Sequence, residues 1–145
     1  MQPDSFGNLQ DWGPVLDKLC QLTHEGKLGD HQAELIRILR YQGNWRLREE
    51  TLHRISAIEQ PSKALIEQVL RIIADKNLYF EARILACQSM IDLLKKTGHS
   101  FDAAIRDAVI GTLAKLLATP QPPIFTDALR QLSSVAQESF NLSEQ

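Results

Sequence analysis

The sequence predicts an all-α fold built from helical hairpins, and three observations carry that prediction. Apolar residues recur at helical spacing nearly everywhere. The clearest case is 62–75, where Leu65, Ile66, Val69, Leu70, Ile72 and Ile73 share one wide face. Alternating strand patterns are absent. The connections between helical stretches are short, so neighbouring helices must pack as antiparallel hairpins. Two arrangements satisfy this: a closed bundle or a stack of hairpins.

Seven helices follow in order, at about 14–24, 31–42, 45–59, 62–75, 78–96, 101–118 and 124–138. Gly13-Pro14 puts proline in the first turn of the first helix. Gly26 and Gly29 bracket a loop, and Asp30 is placed to cap the second helix. Gly43-Asn44 breaks the chain, with Asn44 as N-cap of the third. Pro61 stops that helix and Ser62 caps the fourth. Asp75-Lys76-Asn77 is a short turn. Thr97-Gly98-His99-Ser100 ends the fifth helix and caps the sixth. Thr119-Pro120-Gln121-Pro122-Pro123 is non-helical, because its prolines remove donors and force extended geometry. Gly111 falls in mid-helix, at a cost of about 1 kcal/mol relative to Ala, and suggests close helix approach.

Composition bounds the rest. A chain of 145 residues suits one domain, with 1–30 as an N-terminal cap and 139–145 as a polar, fraying tail. With 43% hydrophobic and 23% charged residues, it is neither a disordered tail nor a disulfide scaffold. Sixteen Lys and Arg against eighteen Asp and Glu give a charge of -2, which argues against broad phosphate binding. Met1-Gln2-Pro3-Asp4-Ser5 shows no basic start and no apolar run after it, so no secretory signal is expected. No stretch reaches 18 apolar residues, so no membrane span is expected. Cys20 and Cys87 both fall in apolar helical patterns, as two reduced, buried thiols of a cytoplasmic protein.

An internal repeat separates the two arrangements. Shifted by 35 residues, Leu35 falls on Leu70, Ile38 on Ile73, Trp45 on Phe80 and Arg48 on Arg83. Leu52 then meets Cys87, Ile55 meets Met90 and Ile58 meets Leu93. A weaker third copy lies at an offset of 42, where Phe125, Ala128, Leu132 and Val135 follow Arg83, Ala86, Met90 and Leu93. The first helix, with Trp12, Val15, Leu16, Leu19 and Cys20, has no partner and reads as a cap. Matching Trp45 and Phe80 suggest a shared packing role.

Gly43-Asn44-Trp45-Arg46-Leu47-Arg48-Glu49 and Asp75-Lys76-Asn77-Leu78-Tyr79-Phe80-Glu81-Ala82-Arg83 each lead from a short turn into a helix with Arg in its first turn. In this the chain resembles the HEAT-repeat family of helical solenoids, well over 31–96 and loosely over 101–138. The chain departs from the family pattern: the turn Asp occurs once, as Asp75, with Arg40 at the equivalent place of the first repeat, and Phe125 replaces the Arg in the third copy. The resemblance implies a right-handed α-α superhelix of about three HEAT-like hairpins with an N-terminal capping helix. It also implies that Arg48, Arg83 and Asp75 are structural. Second helices of such solenoids usually bind proteins or extended peptides on the concave side. Some relatives instead excise DNA bases or attach bilin pigments, so fold alone does not fix function.

Candidate chemistry is sparse. Of His24, His31, His53 and His99, only His24 has ligand-like spacing, to Cys20, and a metal needs further ligands that the sequence does not supply. No glycine-rich phosphate loop or nucleophile elbow occurs. Glu49-Glu50 is the only adjacent carboxylate pair in a helix, and the two side chains diverge by about 100°. No cofactor, metal or catalytic residue is therefore expected. Arg37, Arg40, Arg46, Arg48 and Arg54, near Tyr41 and Trp45, resemble a nucleic-acid patch. The inward Arg48 and the neighbouring Glu49 and Glu50 leave little excess charge.

The repeat itself outlines a partner surface. With Leu52, Ile55 and Ile58 facing the core, Glu49, His53 and Ala57 face away, and the shift carries these to Ile84, Gln88 and Asp92. Leu85 lies beside Ile84, and Arg130 continues the line on the last helix. Ile84 and Leu85 would then be exposed aliphatics with a polar rim, which suits docking of a protein or peptide. Burial of the central helix and a homodimer contact remain the other readings. The expected function is non-catalytic protein binding. Its rivals are an enzyme of the bilin-lyase or DNA-glycosylase kind and a homodimerising bundle.

Overall fold

The structure, a computed structural model, describes residues 6–141. Met1–Ser5, and with them the stretch searched for a signal, lie outside the described residues, as do residues 142–145. The described residues form seven α-helices and no strand: α1 Trp12–Glu25, α2 Gln32–Arg40, α3 Trp45–Ile55, α4 Lys63–Ala74, α5 Phe80–Thr97, α6 Ala103–Leu117 and α7 Pro123–Asn141. Short 3-10 turns occupy Leu28–His31 and Gly98–Ser100.

Local chemistry sets most boundaries. Asn44 caps α3 by accepting from the Arg46 N–H at 2.9 Å, and Ser62 caps α4 by accepting from Leu65 N–H at 3.1 Å. α1 ends on Gly26 at φ 68, with Lys27 N–H on the Leu22 carbonyl and Gly26 N–H on that of Thr23. That pair of bonds is a Schellman close, for which glycine is suited because it lacks a Cβ.

Several expectations need correction. Asp30 caps nothing; it is exposed in the 3-10 turn before α2. Asp102, not Ser100, caps α6, accepting from Ile105 N–H at 2.9 Å. α3 ends at Ile55 rather than near 59, because the chain tightens there: Ala57 and Ile58 N–H bond to the Arg54 and Ile55 carbonyls. That turn buries Ile58 and is held from α2 by Gln32, which donates to the Gln60 carbonyl and accepts from Ser62 N–H. Pro123 opens α7 rather than preceding it, where its missing N–H has no intrahelical role. Residues 139–141 continue α7 instead of fraying. Phe140 is buried with its ring 6.2 Å from Phe101, and Ser139 Oγ donates to the Leu94 carbonyl. Gly111 is exposed with open space around it, so it permits no close approach. Gly98 does: a Cβ there would come within 2.7 Å of Ser139 Cβ.

The helices form two rows. α1 packs on α3, α3 on α5 and α5 on α7; α2 packs on α4 and α4 on α6. Hairpin pairs α2–α3, α4–α5 and α6–α7 join the rows. Neighbours within a row run parallel. Tyr79 Oη reaches Glu49 near the starts of α5 and α3, Ser89 Oγ reaches the Leu52 carbonyl midway, and Lys96 Nζ reaches the Ser56 carbonyl at their far ends. Phe80–Phe125 and Leu94–Ser139 contacts align α5 with α7 in the same way.

One continuous core runs between the rows. Leu52, Ile55, Leu70, Ile73, Cys87 and Met90, the seam that the 35-residue shift places together, are all buried in it. Each pair related by the shift has matched surroundings. Leu35 and Leu70, Ile38 and Ile73, and Ile58 and Leu93 are buried, as are Arg48 and Arg83. Trp45 and Phe80 match as well, in that both leave part of the ring exposed, although Phe80 also packs its ring on Phe125. In the third copy Phe125, Ala128 and Leu132 are buried and Val135 half-buried.

Candidate functional site

Two arginines mark the interior of the α3–α5–α7 row. Arg83 in the first turn of α5 is 2% exposed, and its Nε donates to the Ile73 carbonyl at 2.9 Å. Its guanidinium stands 4.3 Å from the Phe125 ring centroid and 5.3 Å from that of Phe80. Phe125 thus occupies the arginine position of the third copy and serves as the face on which the second copy's arginine stacks. Burial lowers the Arg83 pKa, and the charge of Asp75 opposes this. Asp75 does not bond Arg83; it is exposed, and its Oδ1 accepts from Asn77 N–H to shape the turn. Arg48 is 7% exposed and lies over the Tyr79 ring at 5.6 Å.

The expected partner face is not what the structure presents. Ile84 and Leu85 are half-buried and packed against the core rather than exposed. The reason is that α5 is central, with α3 and α7 on its two sides and α4 behind it. Glu49 is half-buried and accepts from Tyr79 Oη at 2.7 Å, so it is a tie between helices. Burial and this bond both raise the Tyr79 pKa. His53, Gln88 and Arg130 are exposed on successive helices of the row.

Large exposed apolar side chains gather elsewhere. Trp12 is 45% exposed, Trp45 55%, Phe80 38% and Ile124 72%. Trp12, Trp45 and Phe80 open α1, α3 and α5, and Ile124 is the second residue of α7. Because these helices run parallel, the four residues line one edge of the row. Arg46 joins the first two, its guanidinium 6.0 Å from the Trp12 ring and 5.7 Å from the Trp45 ring. Ile110 on α6 is the remaining large apolar residue exposed among those described. The sequence held one signal for this edge, an aromatic directly after the turn in both copies.

The five-arginine cluster disperses. Arg54 pairs with Glu50 at 2.7 Å, Arg37 donates to the Gly7 carbonyl and Arg40 to Gln68, and Arg48 turns inward. Only Arg46 stays with the exposed aromatics. Cys20 and His24 share the exposed surface of α1, and among the described residues no three His, Cys, Asp or Glu side chains gather as metal ligands. No described helix is long and apolar enough to cross a membrane.

The two thiols differ sharply. Cys20 is exposed, against expectation, because it falls at the margin of the α1 stripe formed by Val15, Leu19 and Leu22. Cys87 is buried, and burial pushes its thiol up to about 12. The thiolate is the reactive form. Native protein at pH 8 should therefore take up one equivalent of a thiol reagent, at Cys20, and a second only in denaturant. Rapid native labelling of both would contradict this placement.

No family model, curated protein or solved structure matches this chain.

Proposed function

We propose that the chain is a non-catalytic protein-binding module of the cytosol, a HEAT-like right-handed superhelix that holds a protein or peptide partner as an adaptor or assembly factor. The observation that carries this reading is the edge formed by Trp12, Trp45, Phe80 and Ile124 with Arg46. Trp, Tyr and Arg are the residues enriched where binding energy concentrates, and an apolar line of this kind is unfavourable in water without a use. The row's other exposed groups, His53, Gln88 and Arg130, supply a polar flank to such a contact. The two-row packing supports an open stack, in which the ends of successive helices form a continuous surface.

The test is affinity capture from the native host with the wild-type chain and with a Trp45→Ala, Ile124→Ser variant. Both residues are largely exposed, so the variant should keep its helix content and melting temperature. A partner that binds the wild type, rebinds after purification and loses at least about tenfold in affinity for the variant supports the reading. A partner retained equally by both would place the contact elsewhere.

A further inference from the structure

We infer that the chain carries an oxyanion-binding cleft between α2, α4 and the α4–α5 turn. Its volume is about 590 Å³, and three guanidiniums line it: Arg40, Arg48 and Arg71. One carboxylate, Asp75, shares the lining, and its Oδ1 already accepts from Asn77 N–H at 2.9 Å. The cleft therefore holds two positive charges in excess.

Each arginine is prepared differently. Arg40 Nε donates to Gln68 Oε1 at 2.8 Å, and Gln68 is itself buried at 5% exposure. That bond fixes the plane of the guanidinium and leaves its terminal N–H groups for another acceptor. Arg48 is 7% exposed; its side chain also interacts with the Tyr79 hydroxyl, but its buried Nε has no acceptor among the described protein groups. A buried, charged donor without an acceptor is the feature that an anion would complete. Arg71 is exposed and makes no hydrogen bond or ion pair within the described residues. Three planar forks around one cleft suit an oxyanion of about two charges, a phosphate monoester or a pair of neighbouring carboxylates. The small overall charge of the chain does not oppose this, since the excess is local.

The site stands on its own residues and does not depend on the apolar edge being a docking surface. It lies nonetheless at the same end of the rows, beside the turns that lead into Trp45 and Phe80.

The experiment follows the arginine Nε–H signals by nuclear magnetic resonance while inorganic phosphate, and separately succinate, is added at constant ionic strength balanced with chloride. Saturable shifts in the signals of Arg40, Arg48 and Arg71 are expected with at least one of the two. Phosphate alone identifies a phosphate monoester site, succinate alone a carboxylate pair, and both the shared oxyanion chemistry. Arg71→Gln should weaken binding about tenfold, the loss of one charge-assisted contact, and should leave the fold intact. Arg40→Gln with Arg71→Gln should abolish it. No saturable response to either anion, or equal affinity in wild type and double variant, would overturn the assignment. Loss of partner capture with an intact anion response would fault the docking edge alone.

Discussion

Ile73→Ala is expected to destabilise the chain by about 2–5 kcal/mol, through lost burial and the cavity that remains. Ile73 is fully buried in the seam with Leu52, Ile55, Leu70, Cys87 and Met90. α4 packs on α5 and also touches α2 and α6, so the void would open in the core between the rows. Collapse around it is limited, because each neighbouring helix is already tied to the next. Chemical denaturation monitored by circular dichroism measures the change. A loss below about 0.5 kcal/mol would mean that the seam is not the core.

Arg83→Ala is the second large loss, at about 2–4 kcal/mol, from three sources. The Ile73 carbonyl loses its side-chain donor inside the protein. The guanidinium's stacking on Phe125 and Phe80 disappears. A hole opens against Phe125, the largest fully buried side chain. Arg83→Met separates these causes. Methionine fills the space and removes a charge that is costly to bury, and replacing a buried charged group by an apolar one of similar volume is often nearly neutral. Arg83→Met should therefore recover more than half of the loss. Equal, large losses in both variants would show that the bond to Ile73, rather than packing, holds the turn. Negligible losses in both would deny Arg83 any structural part.

The interior was the legible part of this sequence. The 35-residue shift pairs buried residues with buried residues because a repeated hairpin meets the same neighbours in each copy, and side-chain volume and polarity record that. Arg48 and Arg83 belong to the same record, since a buried arginine is unusual enough to stand out. What the shift could not resolve was how far each copy's outer face is covered by flanking helices. Ile84 lies one repeat from Glu49, yet α5 has α7 against its side as well as α3, and Ile84 and Leu85 sink accordingly. Trp45, which is more than half exposed, misled for the opposite reason, whereas Phe80 does pack on Phe125. Aromatics are usually packed, but at a helix start the side chain can lie at the edge of the core, and residue size alone does not record that. Glycines behaved likewise. Gly111 looked structural because it interrupts a helix, while Gly98, in a turn where glycine is ordinary, is the one pressed against Ser139. The arginine cleft joins residues from α2, α3, α4 and the α4–α5 turn, and linear spacing carries no sign of such a meeting.

The central claim is an open, two-row stack whose parallel helices present their starts along one edge. The distance between α1 and α7 tests it most directly, because a stack separates its first and last members and a closed bundle brings them together. Spin labels placed at Cys20 on α1 and at Ser134→Cys on α7 report that distance, both positions being exposed and Cys87 being sealed from the reagent. Three helix-to-helix steps of about 8–10 Å predict a separation of roughly 24–30 Å by pulsed electron resonance. A distance under about 15 Å, that of helices packed side by side, would contradict the stack and the edge together.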